Sequence, residues 1–186
     1  RFFISLVVEQ KINPRADNLG IRPLPNLETK FVAANTLIGI VRPGQQMLRN
    51  LDIDIKEAEL RRVRERHFLA RTPTTKAKCR EQDATLRVEI AELLKSDGWN
   101  TATACALADW NPYDQNASAD FFDLEWMFGM LEGFDVAIGN PPFVRADEPS
   151  DENKRLRERI LASRQYETLW EKWDLFVPFI EKGFKL

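Results

Sequence analysis

Four consecutive residues, Asn140-Pro141-Pro142-Phe143, carry most of the chemistry this sequence offers. The side-chain carbonyl oxygen of Asn140 is a hydrogen-bond acceptor, and the backbone carbonyl of Pro141 is a second one. Pro141 and Pro142 lack N–H donors and fix φ, so the corner is stiff and its prolyl carbonyl is aimed in advance. Two acceptors on the two N–H bonds of an exocyclic amine favour a more tetrahedral nitrogen and draw its lone pair out of ring conjugation. A poor nucleophile, such as the amine of a flipped adenine, can then attack a methyl cation equivalent. Phe143 can stack on the extruded base, recovering about 1–3 kcal/mol. No general base is needed, so the lack of a catalytic His is no objection. The bland alternative is a rigid turn. Such a tetrapeptide arises by chance in roughly one in several hundred chains of this length. Its place after an apolar run at 134–138, which reads as a short buried strand, favours the chemical reading, because open α/β sheets hold ligands at strand carboxyl ends.

The elements around the corner follow from pattern. Residues 1–11 read as a helix, with Phe2, Phe3, Leu6 and Val7 apolar. A loop rich in Asn, Gly and Pro follows. Residues 30–34 read as a buried strand ended by Asn35-Thr36. From about Gln45 to Ala70 the pattern is helical and highly charged, with Leu48, Leu51, Ile55, Leu60 and Val63 as apolar positions. Thr72-Pro73 breaks it. A second helix runs from about Lys76 to Lys95, with Leu86, Ile90, Leu93 and Leu94 on one face. Together, 45–96 read as a helical hairpin: a solvated arm packed on one stripe, or an arm that touches DNA or a partner. Turns mark 111–116, residues 145–153 read as a mobile loop, and helices are expected at 153–163 and from Asp174 to the end.

The whole chain sets bounds. Its 186 residues make about one domain, and 44% apolar content suffices for a core. A net charge of −2 is unlike a free-standing DNA binder, so phosphate affinity would come largely from elsewhere. Cys79 and Cys105 have no metal-like spacing and suggest a reducing compartment; both are read as structural, and His67 as a surface residue of the hairpin. No apolar run is long enough to span a bilayer and no signal peptide is visible. The chain starts at Arg1, inside what reads as a helix, and is expected to be a segment of a longer protein.

Residues 134–143 resemble the catalytic motif of amino-group DNA methyltransferases of the adenine-N6 branch, and the wider context resembles the fused type IIG, Eco57I-like restriction–modification enzymes. Residues 1–10 are similar to the helix after the family's acidic cofactor-binding motif, 24–38 to the next strand and its adenine-contacting end, 122–139 to the approach to the catalytic turn, and 174–180 to the helix behind it. The resemblance implies an α/β fold: residues 1–186 would be part of a Rossmann-like methyltransferase domain, with the 45–96 helical hairpin inserted in it. It implies S-adenosylmethionine as cofactor, with Asn35 and Thr36 beside its adenine ring. Asn140, Pro141, Pro142 and Phe143 would be catalytic, double-stranded DNA the substrate of the complete protein, and the location cytoplasmic, with no metal site. Asn35 stands where many relatives have Asp, and reads equally as a strand-end turn residue. Asp174 resembles a position that begins the helix near the pocket, but its residue type and place ahead of Leu175 read rather as a helix N-cap.

The family's Gly-rich cofactor loop is missing: the glycines at 20, 39, 44, 98, 129, 133, 139 and 183 include no pair separated by one residue. The acidic ribose-binding position is missing too. The segment alone is therefore expected to turn nothing over. It should either pair its two strands directly or leave apolar edges exposed, and so self-associate. Two other functions fit the residues: a helical protein-interaction module working through 45–96, and a methyltransferase acting on RNA or on a protein amide, which shares the same turn chemistry.

Overall fold

The computed structural model describes residues 8–21, 24–43, 50–147 and 150–186. The helix expected at 1–11, the apolar position Leu48 and part of the 145–153 loop fall wholly or partly outside them. Among the described residues the chain is helical: α1 (Leu51–Leu69), α2 (Pro73–Ser96), α3 (Thr101–Asp109), α4 (Leu124–Phe128), α5 (Asp151–Ser163) and α6 (Phe176–Phe184), with 3₁₀ turns at Asp17–Gly20 and Leu27–Lys30.

The α/β, Rossmann-like expectation is corrected by this structure. The described residues contain no strand and no sheet, only one isolated parallel bridge between Ala34 and Ala119. A strand exists through its neighbours, because its N–H and C=O groups need a ladder. The runs at 30–34 and 134–138 are not paired with each other. Residues 33–35 spend their hydrogen bonds on Ala119: its N–H donates to the Ala33 carbonyl and its carbonyl accepts from Asn35, both at 2.9 Å. The 134–138 run is not buried, with Val136 72% and Ile138 94% exposed. Of the two outcomes foreseen for an incomplete sheet, the open apolar segment is the one observed.

Local signals explain the helices. The Asn50 side chain accepts from the Asp52 N–H, and Asp52 and Asp54 sit in the first turn of α1, where carboxylates oppose the positive end of the helix. Thr72 accepts from the Thr75 N–H ahead of Pro73 at the start of α2. Asn100 caps α3 and Asp123 caps α4 in the same way. α4 stops at Gly129, whose φ of +70° is the left-handed conformation that glycine adopts without strain.

Helices α1, α2 and α3 pack around the larger core, which takes in Ile53, Leu60 and Val63, then Leu86, Ile90 and Leu94, and extends to Leu107, Trp110 and Trp126. Its centre is charged. Asp83, with no exposed surface, accepts from Arg64 Nε and from Arg87 Nε, each at 2.8 Å. Arg64 reaches on to the Trp126 carbonyl, and Arg87 to the carbonyls of Ala108 and Trp110. The Tyr113 hydroxyl also donates to Asp83, at 3.3 Å. One carboxylate thus fastens the hairpin to the segment that follows it. His67 is not on the surface as expected: it is fully buried, 4.7 Å ring to ring from Tyr113. Burial lowers its pKa, against the opposing pull of Glu28 at 3.3 Å, which favours the neutral imidazole.

A second core joins Leu37, Ile160, Trp173 and Leu175, with Ile38, Val144 and Tyr166 packed against it. At its edge the Glu181 carboxylate accepts from the N–H groups of Glu167 and Thr168, the Thr168 hydroxyl and the Lys185 ammonium. Burial works against its charge, but these donors outweigh burial and hold it down to about 2. Because the folded value lies below the ordinary 4.5, the stabilisation is complete above about 4.5 and is lost as pH falls from there through about 2. Thermal melts across this window should show that loss, and Glu181→Gln should remove it.

Candidate functional site

The Asn140-Pro141-Pro142-Phe143 corner lies between the open 134–138 segment and the second core. Asn140 is exposed and makes no hydrogen bond to any described residue, while Pro141 and Pro142 are half-buried. Phe143 is 83% exposed, its ring centroid 6.2 Å from that of Phe176 and tilted by 38°. An amide and an aromatic face are therefore both open to a planar ligand, on either side of a stiff dipeptide. The corner does not stand at the mouth of a sheet, as its sequence context suggested, because no sheet forms there.

What holds the corner is the chain just after it. The Leu175 N–H donates to the Val144 carbonyl at 3.0 Å, and the Ala146 N–H donates to Asp174 Oδ1 at 2.7 Å. Arg157, from α5, donates to the carbonyls of Val144, Arg145 and Trp173 and stacks 4.7 Å from the Trp173 ring centroid. Residues 144–146 are thus clasped to the entry of α6. Asp174 is not a side-chain helix cap, as one of its readings held; its carboxylate is spent on Ala146, leaving α6 without a side-chain cap bond. Neither Arg157 nor Glu181 was found from sequence. Arg157 sits in a charge-rich stretch from Lys154 to Arg159 that looks like any solvated helix; the nearest sequence signal is Trp173, an aromatic partner for a guanidinium.

Asn35 and Thr36 are half-buried. Asn35 Oδ1 accepts from the Leu37 N–H at 3.3 Å, a local turn that engages its carbonyl oxygen and leaves its NH2 group with no bond to a described residue. The next residue, Leu37, is 1% exposed in the second core, and its carbonyl accepts from the Tyr166 hydroxyl at 2.7 Å. Burial first, and Glu181 second, push that hydroxyl's pKa up to about 12, so it stays a donor. The structure therefore roots both candidate segments in one apolar cluster: Leu37 and Ile38 follow Thr36, and Val144 follows Phe143.

The Eco57I restriction-modification methylase family matches residues 30–186, which include the hairpin, the corner and the second core. The chain belongs to that family. Part of it is also 39% identical, over 71 residues, to the Type II methyltransferase M.BstVI of Geobacillus stearothermophilus; the match takes in 37% of this chain and 11% of that protein. No solved structure matches the chain. Within the Eco57I family assignment, the matched span contains every site residue named from sequence, Asn35 and Thr36 as well as 140–143. Among the described residues, no helix is long and apolar enough to cross a membrane.

Proposed function

We propose that this chain is part of the catalytic domain of a DNA adenine-N6 methyltransferase, with the 45–96 hairpin as an insertion, and that Asn140, Pro141 and Phe143 grip the flipped base. The observation that carries this reading is the corner itself: within a restriction-modification methylase match, an exposed amide and an exposed aromatic ring flank a Pro-Pro turn clasped from behind. Asn140 Oδ1 and the Pro141 carbonyl each accept one N–H of the adenine amine and localise its lone pair. Phe143 covers the ring and replaces part of the stacking lost on extrusion. Pro142 fixes the angle between the two groups. The clasp by Asp174 and Arg157 steadies the backbone that follows the corner, so the Pro141 carbonyl needs little reorganisation when charge develops on the nitrogen, while the free Asn140 side chain turns to meet the base.

S-adenosylmethionine is the donor this family membership suggests, and it would supply an activated methyl group. The fit is partial. The Asn35 NH2 group can meet the edge of an adenine ring, but this chain has no Gly-x-Gly spacing to cradle the remainder of such a molecule. The chain's own contribution is the base-gripping half of the reaction.

The test is product identification. Full-length protein, labelled S-adenosylmethionine and duplex DNA should yield label in N6-methyladenine after digestion to nucleosides. Label in methylcytosine, in RNA or in a protein side chain would overturn the assignment.

A further inference from the structure

The hairpin carries its charges unevenly. Between Arg66 and Arg80 there are five cations (Arg66, Arg71, Lys76, Lys78 and Arg80) and no carboxylate, in a chain whose acidic residues outnumber its basic ones. The hairpin's acids lie at 52–65 and 81–92, outside the stretch from Arg66 to Arg80, though Glu59, Glu81 and Glu89 line one open groove with Lys78. Arg71, Lys76 and Lys78 form no ion pair with any described carboxylate; Arg66 bonds the neutral Gln82, and Arg80 is matched by Glu28 at 2.9 Å. Arg71 and Lys76 stand on the wall of an open groove of about 670 Å³, floored by Phe68, Pro25 and Asn26. A further cation, Lys30, lies 5.7 Å from the Phe68 ring centroid. Among the acids near the cluster, Glu28 pairs with Arg80 and is absent from the groove lined by Arg71 and Lys76.

The tip is held at a fixed place. Asn26 Nδ2 donates to the carbonyls of His67 and Ala70, both at 2.7 Å, closing the end of α1 against the preceding loop. The Asp83 network fastens the hairpin's middle. Unpaired cations on a rigid arm present a regular array of phosphates with a preformed partner, so little conformational freedom is lost on contact. They also answer the question raised by the chain's net charge: a nearly neutral chain can still hold a polyanion if its positive residues are segregated.

We infer that the α1–α2 turn is a phosphate-backbone contact for duplex DNA, made by Arg71, Lys76 and Lys78 and independent of base sequence. The inference rests on the reading of the protein as a DNA methyltransferase. Phosphate contacts position a protein on a duplex without specifying sequence, and each neutralised phosphate adds about 0.9 to the slope of log affinity against log salt.

The experiment is anisotropy of the full-length protein on a labelled duplex across a salt series, comparing the wild type with the triple variant Arg71→Gln, Lys76→Gln, Lys78→Gln. Three lost contacts should lower the slope by about 2.7, so that between about 50 and 200 mM salt the variant loses about 40-fold less affinity than the wild type. The variant Arg71→Lys, Lys76→Arg, Lys78→Arg should keep the wild-type slope, separating charge from fold. Lysine acetylation footprinting should show Lys76 and Lys78 protected by DNA. An unchanged slope with unprotected lysines overturns the inference and leaves the proposed methyl transfer standing. A wild-type protein that binds no DNA overturns both.

Discussion

Asn140→Ala in the full-length protein is expected to cut methyl transfer to DNA by about 10²–10³-fold, the range for removing one preorganised hydrogen-bonding group from an active site. The loss should fall on turnover rather than on stability. Asn140 is exposed and bonds no described residue, so its removal leaves neither a cavity nor an orphaned partner. Surface changes of that kind stay within about 0.5 kcal/mol. Asn140→Asp keeps an acceptor oxygen, and should keep substantially more activity than the alanine variant. Steady-state kinetics with thermal melts on both variants make the comparison. Wild-type turnover in Asn140→Ala would remove the amide from the chemistry and return the motif to a stiff turn.

Asp83→Ala should be the most destabilising single change in the hairpin, by about 3–5 kcal/mol, the range for breaking a buried ion pair from one side. Asp83 has no exposed surface, and the two guanidinium groups it neutralises are themselves buried. Arg87 would still reach the Ala108 and Trp110 carbonyls, and Arg64 the Trp126 carbonyl, but two positive charges would remain without a counter-ion in the core. Asp83→Asn retains shape and one acceptor and should cost less. Denaturant unfolding of the two variants tests this; a loss below about 1 kcal/mol for the alanine variant would mean that the charges are satisfied some other way.

The sequence was legible where one face of a helix is apolar. Leu86, Ile90 and Leu94 of α2 are buried as their spacing implied, and Leu60 and Val63 of α1 are too. It was less legible where charge crowds the helix: Leu51 and Ile55 are exposed, and Ile53 is the buried residue in that turn. Asp83 and Arg87 continue the same stripe as Leu86 and Ile90, yet a pattern reading assigns charges to solvent, so their burial could not be foreseen. The strand readings failed for a different reason. Apolar runs at 30–34 and 134–138 state a preference, but pairing depends on what lies alongside, and one-dimensional pattern does not supply that. At the corner, the letters of the motif could be read and its mounting could not: the bond from Ala146 to Asp174 joins residues 28 apart in the chain.

That clasp makes α5 and the stretch leading into α6 partners in aiming the corner. Arg157 and Asp174 hold residues 144–146 from two separate stretches of chain, so the posture of the tetrapeptide is inherited from the C-terminal thirty or so residues. A copy of this chain cut short of Asp174 would still spell Asn-Pro-Pro-Phe, but the word would hang loose from its frame.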